Sequence, residues 1–263
     1  MRSLRPLLAL LLAVALAAVS PTAASADPGV RYVALGDSYS AGLGASGSYT
    51  DAACDRTDAA FPALWSATHA PASFVLVACA GATTDSVISA QVPSLSRDTS
   101  LVSLTAGGND IGFSAIMTSC ALHRNADCIA AVNQAEHLIA TTLPGRLDAV
   151  YSAIAAAAPY AEVVVLGYPQ FYQLHRWFCL GVAENSRNKI DEGINALDDA
   201  IAAAAGRHGF TFTDVRSAFV GHQLCSGSKW LHAADLAALE KSYHPTATGQ
   251  REGYLPAFTT AAG

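Results

Sequence analysis

Four short runs in the chain carry side chains suited to acyl transfer. Gly36-Asp37-Ser38-Tyr39-Ser40 places a serine directly after an apolar run, Arg31 to Gly36. A serine just past the carboxyl end of a buried strand is well placed as a nucleophile. Gly36 permits a sharp turn there. A helix starting at that turn would aim its free N–H groups at the site and support an oxyanion. The plainer role for Ser38 is to cap that helix. Gly107-Gly108-Asn109-Asp110 follows another apolar run, and the Asn109 amide can donate to a developing oxyanion or simply open a helix. Cys79-Ala80-Gly81-Ala82 ends a third, where Gly81 either brings a backbone N–H close to a ligand or only makes a turn. Ser242-Tyr243-His244-Pro245 lies near the other end of the chain. Pro245 favours an extended conformation for His244, and a histidine titrating near neutrality is the natural base for a serine hydroxyl.

The elements that must hold these residues are legible as strands and helices in alternation. Strands are expected at Arg31 to Gly36, Phe74 to Cys79, Leu101 to Ala106, Glu162 to Gly167 and Phe210 to Val215. Their apolar residues run on rather than alternate, as in strands buried on both faces of a parallel sheet. Helices are expected over Ile129 to Ala158, with a break at Pro144-Gly145, over Asn185 to Gly206, with Gly206 as C-cap, and over Thr248 to Thr260. The alternation predicts a doubly wound α/β/α sandwich whose site lies outside the carboxyl ends of the strands. Gly42 to Ser48 reads as a flexible rim loop. Phe113, Ile116 and Met117 could line an acyl pocket or form the buried face of a short helix.

With three successive strands each ending in a candidate site residue and a His-Pro before the last helix, the chain resembles the SGNH, or GDSL-type, hydrolases over nearly its whole length after the leader. Gly36-Asp37-Ser38-Tyr39-Ser40 matches the serine block, Gly81 the glycine block, Gly107-Gly108-Asn109-Asp110 the asparagine block and His244 the histidine block. The secreted actinobacterial lipases and esterases look most alike. The resemblance implies a flavodoxin-like α/β/α sandwich around a mainly parallel five-stranded sheet. It implies Ser38 as nucleophile, His244 as general base, and an oxyanion hole from Ser38, Gly81 and Asn109. No cofactor or metal is implied. The chain departs from the family at Lys241, where an aspartate usually precedes the histidine by three residues. A lysine cannot accept the imidazole proton. A backbone carbonyl, Ser242 before Lys241, is then expected to orient His244 in a dyad, with Asp235 and Glu240 as acidic alternatives. A base of this kind predicts an acid limb of activity near pH 6–7.

Composition sets the compartment and excludes other classes. Arg2, Arg5, the apolar run Leu7 to Val19 and the Ala24-Ser25-Ala26 site read as a secretory signal peptide over residues 1–26. Cleavage leaves 237 of the 263 residues, from about Asp27, as one domain, and takes the formal charge from −6 to −8. An acidic chain without a basic block is a poor nucleic-acid binder and lacks a stable membrane anchor. An apolar share of 52 % excludes a disordered chain. Cys54, Cys79, Cys120, Cys128, Cys179 and Cys225 suggest three disulfides in an exported protein. Fifteen pairings are possible, and the order suggests local ones between consecutive cysteines. No Cys-x-x-Cys or His-Glu-x-x-His points to zinc. The expected protein is a monomeric ester hydrolase acting on a lipid or other small ester. Short-chain, aryl or sugar-acetyl esters are the rival substrates, and a non-catalytic binding protein on the same fold is the rival class.

Overall fold

The computed structural model describes residues 29–263, apart from residues 123, 180 and 236. The leader and its cleavage site lie outside the described residues. In chain order the elements are β1 (Arg31–Gly36), α1 (Ser38–Ala41), β2 (Tyr49–Asp51), β3 (Arg56–Thr57), α2 (Phe61–His69), β4 (Ser73–Leu76) and α3 (Thr84–Ser86). Then come β5 (Leu101–Thr105), α4 (Phe113–Leu122), α5 (Asn125–Thr141), α6 (Leu143–Ala157), β6 (Glu162–Leu166), α7 (Glu184–Arg207), β7 (Thr211–Thr213) and α8 (Leu255–Ala262).

Five strands form one parallel sheet in the order β4-β1-β5-β6-β7. The chain therefore winds outward in both directions from the seam between β1 and β5. In open α/β sheets ligands bind at that reversal, beyond the carboxyl ends of the strands. Gly36-Asp37-Ser38 and Gly107-Gly108-Asn109 leave the sheet on the two sides of it. The central strands carry the burial that the apolar runs predicted: all of β5 is buried, and β1 after Arg31.

Two apolar layers cover the sheet. Tyr32 of β1 meets Trp65 of α2 and Phe258 of α8, with ring centroids 5.3 and 5.4 Å apart. Elsewhere α6 buries Leu143, Leu147, Val150 and Ile154, and α7 buries Ile190, Ile194, Leu197 and Ile201. These spacings of three, four and seven make one helical stripe on each. The small β2–β3 hairpin and α2, absent from the sequence expectation, fill the connection between β1 and β4.

Several expected boundaries shift for physical reasons. The break between α5 and α6 falls at Thr142, not at Pro144-Gly145, because Pro144 takes the first turn of α6, where its missing N–H is harmless. Gly206 stays inside α7, and Gly209 supplies the left-handed turn beyond it, at φ 69°. β4 ends at Leu76 and β7 spans only Thr211–Thr213. The last helix opens with a π-helical stretch, Gly249–Tyr254. Gly42 to Ser48 is not a loose rim. Leu43 and Ala45 are buried, and the Gly44 carbonyl lies 2.8 Å from His232 Nε2. The cysteines are joined as Cys54–Cys79, Cys120–Cys128 and Cys179–Cys225.

The carboxyl end of β1 is held by Gln91. Its side chain accepts from the Gly36 N–H at 2.7 Å and donates to the Gly36 carbonyl at 2.9 Å, all out of contact with water. Gln91→Ala would orphan the Gly36 N–H, and an unsatisfied buried group costs about 1–3 kcal/mol. Urea unfolding should show a loss of that size with an unchanged slope; a midpoint equal to wild type would mean the clasp contributes nothing.

Candidate active site

The turn that presents Ser38 is forced by backbone geometry. Gly36 has φ 128°, and a Cβ there would stand 2.6 Å from the Thr105 carbonyl oxygen. Asp37 then caps α1, accepting from the Tyr39 N–H at 3.0 Å. Ser38 is the first helical residue, so its N–H has no partner within the helix and faces outward.

Asp37 is fully buried and accepts two more hydrogen bonds, from Thr105 Oγ1 at 2.7 Å and Tyr168 Oη at 2.5 Å. Burial pushes its carboxyl up to about 6, opposed by those three donors. Tyr168 Oη also accepts from the Gly108 N–H at 3.3 Å. Thr105 and Tyr168 did not emerge from the sequence, although Tyr168 follows the fourth strand as the other site residues follow theirs.

Asn109 opens a short 3-10 turn after β5. One Nδ2 hydrogen goes to the Ala82 carbonyl at 3.0 Å, which leaves the second for a ligand. Asp110 accepts from Thr84 N and Oγ1 at 3.0 and 2.7 Å. The asparagine block is thereby tied to the loop that holds Gly81. Gly81 sits at φ 77° with open space where a Cβ would be. It lines a cleft with Arg56, Val77 and Gln91 next to the one lined by Ser38, Gly108, Asn109 and Phe113, and it joins the latter through Ala82.

His244 arrives from the far end of the chain and stands against Ser38, with Nε2 2.7 Å from Oγ. Its Nδ1 lies 3.0 Å from the Ser242 carbonyl, while the Lys241 carbonyl is occupied by the His244 backbone N–H at 3.1 Å. Asp235 and Glu240 are exposed, and Asp235 Oδ1 accepts from the Ala237 N–H. Tyr243, between the carbonyl and the imidazole it faces, has φ 67°. That conformation costs a bulky side chain of order 1–3 kcal/mol and persists only where its surroundings hold it.

Burial pushes the His244 pKa down to about 4, with a smaller contribution from His232, against the opposing hydrogen bond from the Ser242 carbonyl. The neutral imidazole that a base requires is then present far below the pH 6–7 expected from an ordinary histidine. Phe113 lies at the junction of three cavities: the Ser38 cleft, a groove beside His244 with Met117 and Leu239, and an apolar cavity with Ile116, Ile194 and Leu197. The two roles considered for Phe113, Ile116 and Met117 thus coincide, since the helix face they form walls the cavity.

The arrangement joins a serine on the switch-point turn, a neutral histidine and convergent donors, and its sequence matches known proteins. Residues 34–252 match the GDSL-like Lipase/Acylhydrolase family, and the chain belongs to that family. Membership makes it a carboxylic ester hydrolase of the lipase/esterase class. It is 49 % identical to Lipase 1 of Streptomyces coelicolor, across 92 % of this chain and 91 % of that one. Among solved structures it is similar to phospholipase A1 from Streptomyces albidoflavus, with 49 % identity, a TM-score of 0.87, and 89 % of this chain and all of that one covered. The extracellular lipase of Streptomyces rimosus follows at 46 % identity and a TM-score of 0.86, with 88 % of this chain and 99 % of that one covered. Among the described residues no helix is long and apolar enough to cross a membrane.

Because burial is the first cause of the His244 shift, the imidazole should titrate by NMR with a midpoint near 4. A midpoint of 6 or above would show that water reaches the ring.

Proposed function

We propose that Ser38 and His244 form a catalytic dyad that cleaves lipid esters through an acyl-enzyme. The observation that carries this reading is the 2.7 Å contact between Ser38 Oγ and His244 Nε2 at the switch point of the sheet. His244 takes the Ser38 proton as Oγ attacks the ester carbonyl carbon. The tetrahedral oxyanion is held by the N–H groups of Ser38 and Gly81 and by the free Nδ2 hydrogen of Asn109. As the intermediate collapses, the carbon–oxygen bond to the alcohol breaks and His244 gives that oxygen its proton. Water, deprotonated by His244, then attacks the acyl-enzyme and releases the acid.

The Ser242 carbonyl fixes the tautomer in which Nδ1 carries hydrogen and Nε2 is the base. It is a dipole rather than a full charge, so it supports the imidazolium less than an aspartate would. Lys241, at the usual aspartate position, fits this division of roles.

A lipid substrate is favoured by the apolar character around the nucleophile. Ile111, Phe113, Ile116, Ile194 and Leu197 wall the inner cavity, and Leu239 is exposed at the outer groove. A second groove, lined by Phe178, Val182 and Leu224, shares Ala121, Ala234 and Tyr243 with the His244 groove. Next to Phe178, Trp177 is 94 % exposed. Phospholipid and triacylglycerol both suit such a surface. The leader over residues 1–26 and the three disulfides favour an exported monomer of one domain, beginning at about Asp27.

A fluorophosphonate probe should modify Ser38 and leave Ser38→Ala unlabelled. No adduct on active protein would remove Ser38 from the mechanism and leave a binding role for the fold. Asn109→Ala should lose about a hundredfold or more in kcat, the usual effect of deleting one oxyanion donor. Near-normal turnover in that variant would take Asn109 out of the hole. With His244 titrating at about 4, kcat/KM on a soluble ester should rise through that pH and stay level to pH 8. Initial rates on esters of increasing acyl length separate the lipid reading, in which rates climb with length, from the short-chain one.

A further inference from the structure

The dyad has a peculiarity that its two side chains do not explain. The Ser242 carbonyl meets His244 Nδ1 only because Tyr243 between them turns left-handed, at φ 67°. Rotation about the Tyr243 backbone decides where that carbonyl points relative to the imidazole two residues on. A tyrosine prefers the opposite sign of φ, so the turn must be held from outside.

Two hydrogen bonds grip the Tyr243 peptide units. On one side the Tyr243 N–H donates to the His232 carbonyl at 2.8 Å. On the other, Tyr39 Oη donates to the Tyr243 carbonyl at 2.8 Å, in a buried contact between residues 204 positions apart. Tyr39 is the residue after the nucleophile. Its own carbonyl accepts from Gln250 Nε2 at 3.0 Å, and its ring lies 5.1 Å from the His244 ring. Burial and the nearby Asp37 raise the Tyr39 pKa well above its ordinary value, so the phenol remains a donor across the working range. Tyr172 Oη, 3.0 Å from Tyr243 Oη, touches the side chain of the same residue and not its backbone.

We propose that Tyr39 is a positioning residue for the base: by holding the Tyr243 carbonyl, its hydroxyl fixes the left-handed peptide that aims the Ser242 carbonyl at His244 Nδ1. The inference rests on the dyad reading above. Ser38 and the clamp on its partner then travel on the same four-residue helix. Any shift of that helix moves the nucleophile and the orientation of the base together.

The test compares Tyr39→Phe with Tyr172→Phe. Each removes one buried hydroxyl, but only the first reaches the Tyr243 backbone. On a soluble short-chain ester, Tyr39→Phe should lower kcat roughly ten- to hundredfold, the scale of a misplaced reacting group, with KM changed less than threefold. Fluorophosphonate labelling of Ser38 should slow in parallel. The downfield proton resonance of His244 Nδ1–H should shift upfield or broaden. Tyr172→Phe should keep kcat and that resonance, whatever its melting temperature does. A Tyr39→Phe enzyme with wild-type kcat overturns the proposal, and so does one that loses kcat while the Nδ1 resonance stays in place. A second pair guards against misfolding: Tyr243→Gly and Tyr243→Ala remove the same ring, but only glycine adopts a positive φ without strain. Tyr243→Gly should exceed Tyr243→Ala in kcat several-fold, and equal rates would also overturn the proposal. Failure of the wild-type enzyme to label at Ser38 would instead sink the dyad, so the two failures read differently.

Discussion

The site depends on one buried carboxylate. Asp37 accepts from Thr105 at the end of β5, from Tyr168 just beyond β6 and from the Tyr39 N–H that opens α1. It therefore fastens three separate pieces of the chain at one point, at the edge of the sheet where they would otherwise splay. Burial raises its pKa to about 6, which says that the charge is costly there and that the three donors offset only part of the cost. Taking the carboxylate away would strand those donors in a dry site, so the group is hard to replace even though it touches no reacting atom. Through Tyr168 the same network reaches the Gly108 N–H and sets the approach to Asn109.

Two structural systems of different character meet at Ser38. The nucleophile and Asn109 are carried on central parallel strands, rigid because both faces are covered. The base comes from an irregular segment, residues 231–245, whose backbone is held by isolated contacts: His232 N–H to the His244 carbonyl at 3.0 Å, Tyr243 N–H to the His232 carbonyl, and an antiparallel bridge from Leu231 to Pro245. Gly44 packs directly on this segment, where a Cβ would stand 3.0 Å from the His232 ring and 3.2 Å from His244 Cβ. The loop after α1 thus supports the base from below, which explains why it is ordered and partly buried despite its small residues.

Much of this was legible in the sequence, and the parts that were not share a cause. The parallel sheet showed in continuous apolar runs such as Glu162 to Gly167, because a strand covered on both faces has no polar side to alternate. Ser38, Gly81, Asn109 and His244 stood out because each combines a reactive or permissive residue with a strand end or a proline. Lys241 pointed to the Ser242 carbonyl as partner, and that carbonyl is the group beside His244 Nδ1. What escaped were long-range polar pairs: Gln91 with Gly36, Tyr168 with Asp37, Tyr39 with Tyr243. A buried tyrosine or glutamine looks the same in sequence whether it fills space or ties distant segments. The depressed His244 pKa escaped for a similar reason, since desolvation is a property of the packed site and not of the residue type.

The disulfides carry a consequence for how the chain comes to be folded. Their loops, 54 to 79, 120 to 128 and 179 to 225, follow one another without nesting or overlap. As the chain emerges amino end first, each cysteine's correct mate is the next one to appear. Pairing each new cysteine with the one still waiting gives the native set without any later reshuffling. The order of the cysteines along the chain thus acts as an assembly schedule, and an enzyme that only oxidises thiols, with no capacity to exchange wrong bridges, is sufficient to complete it.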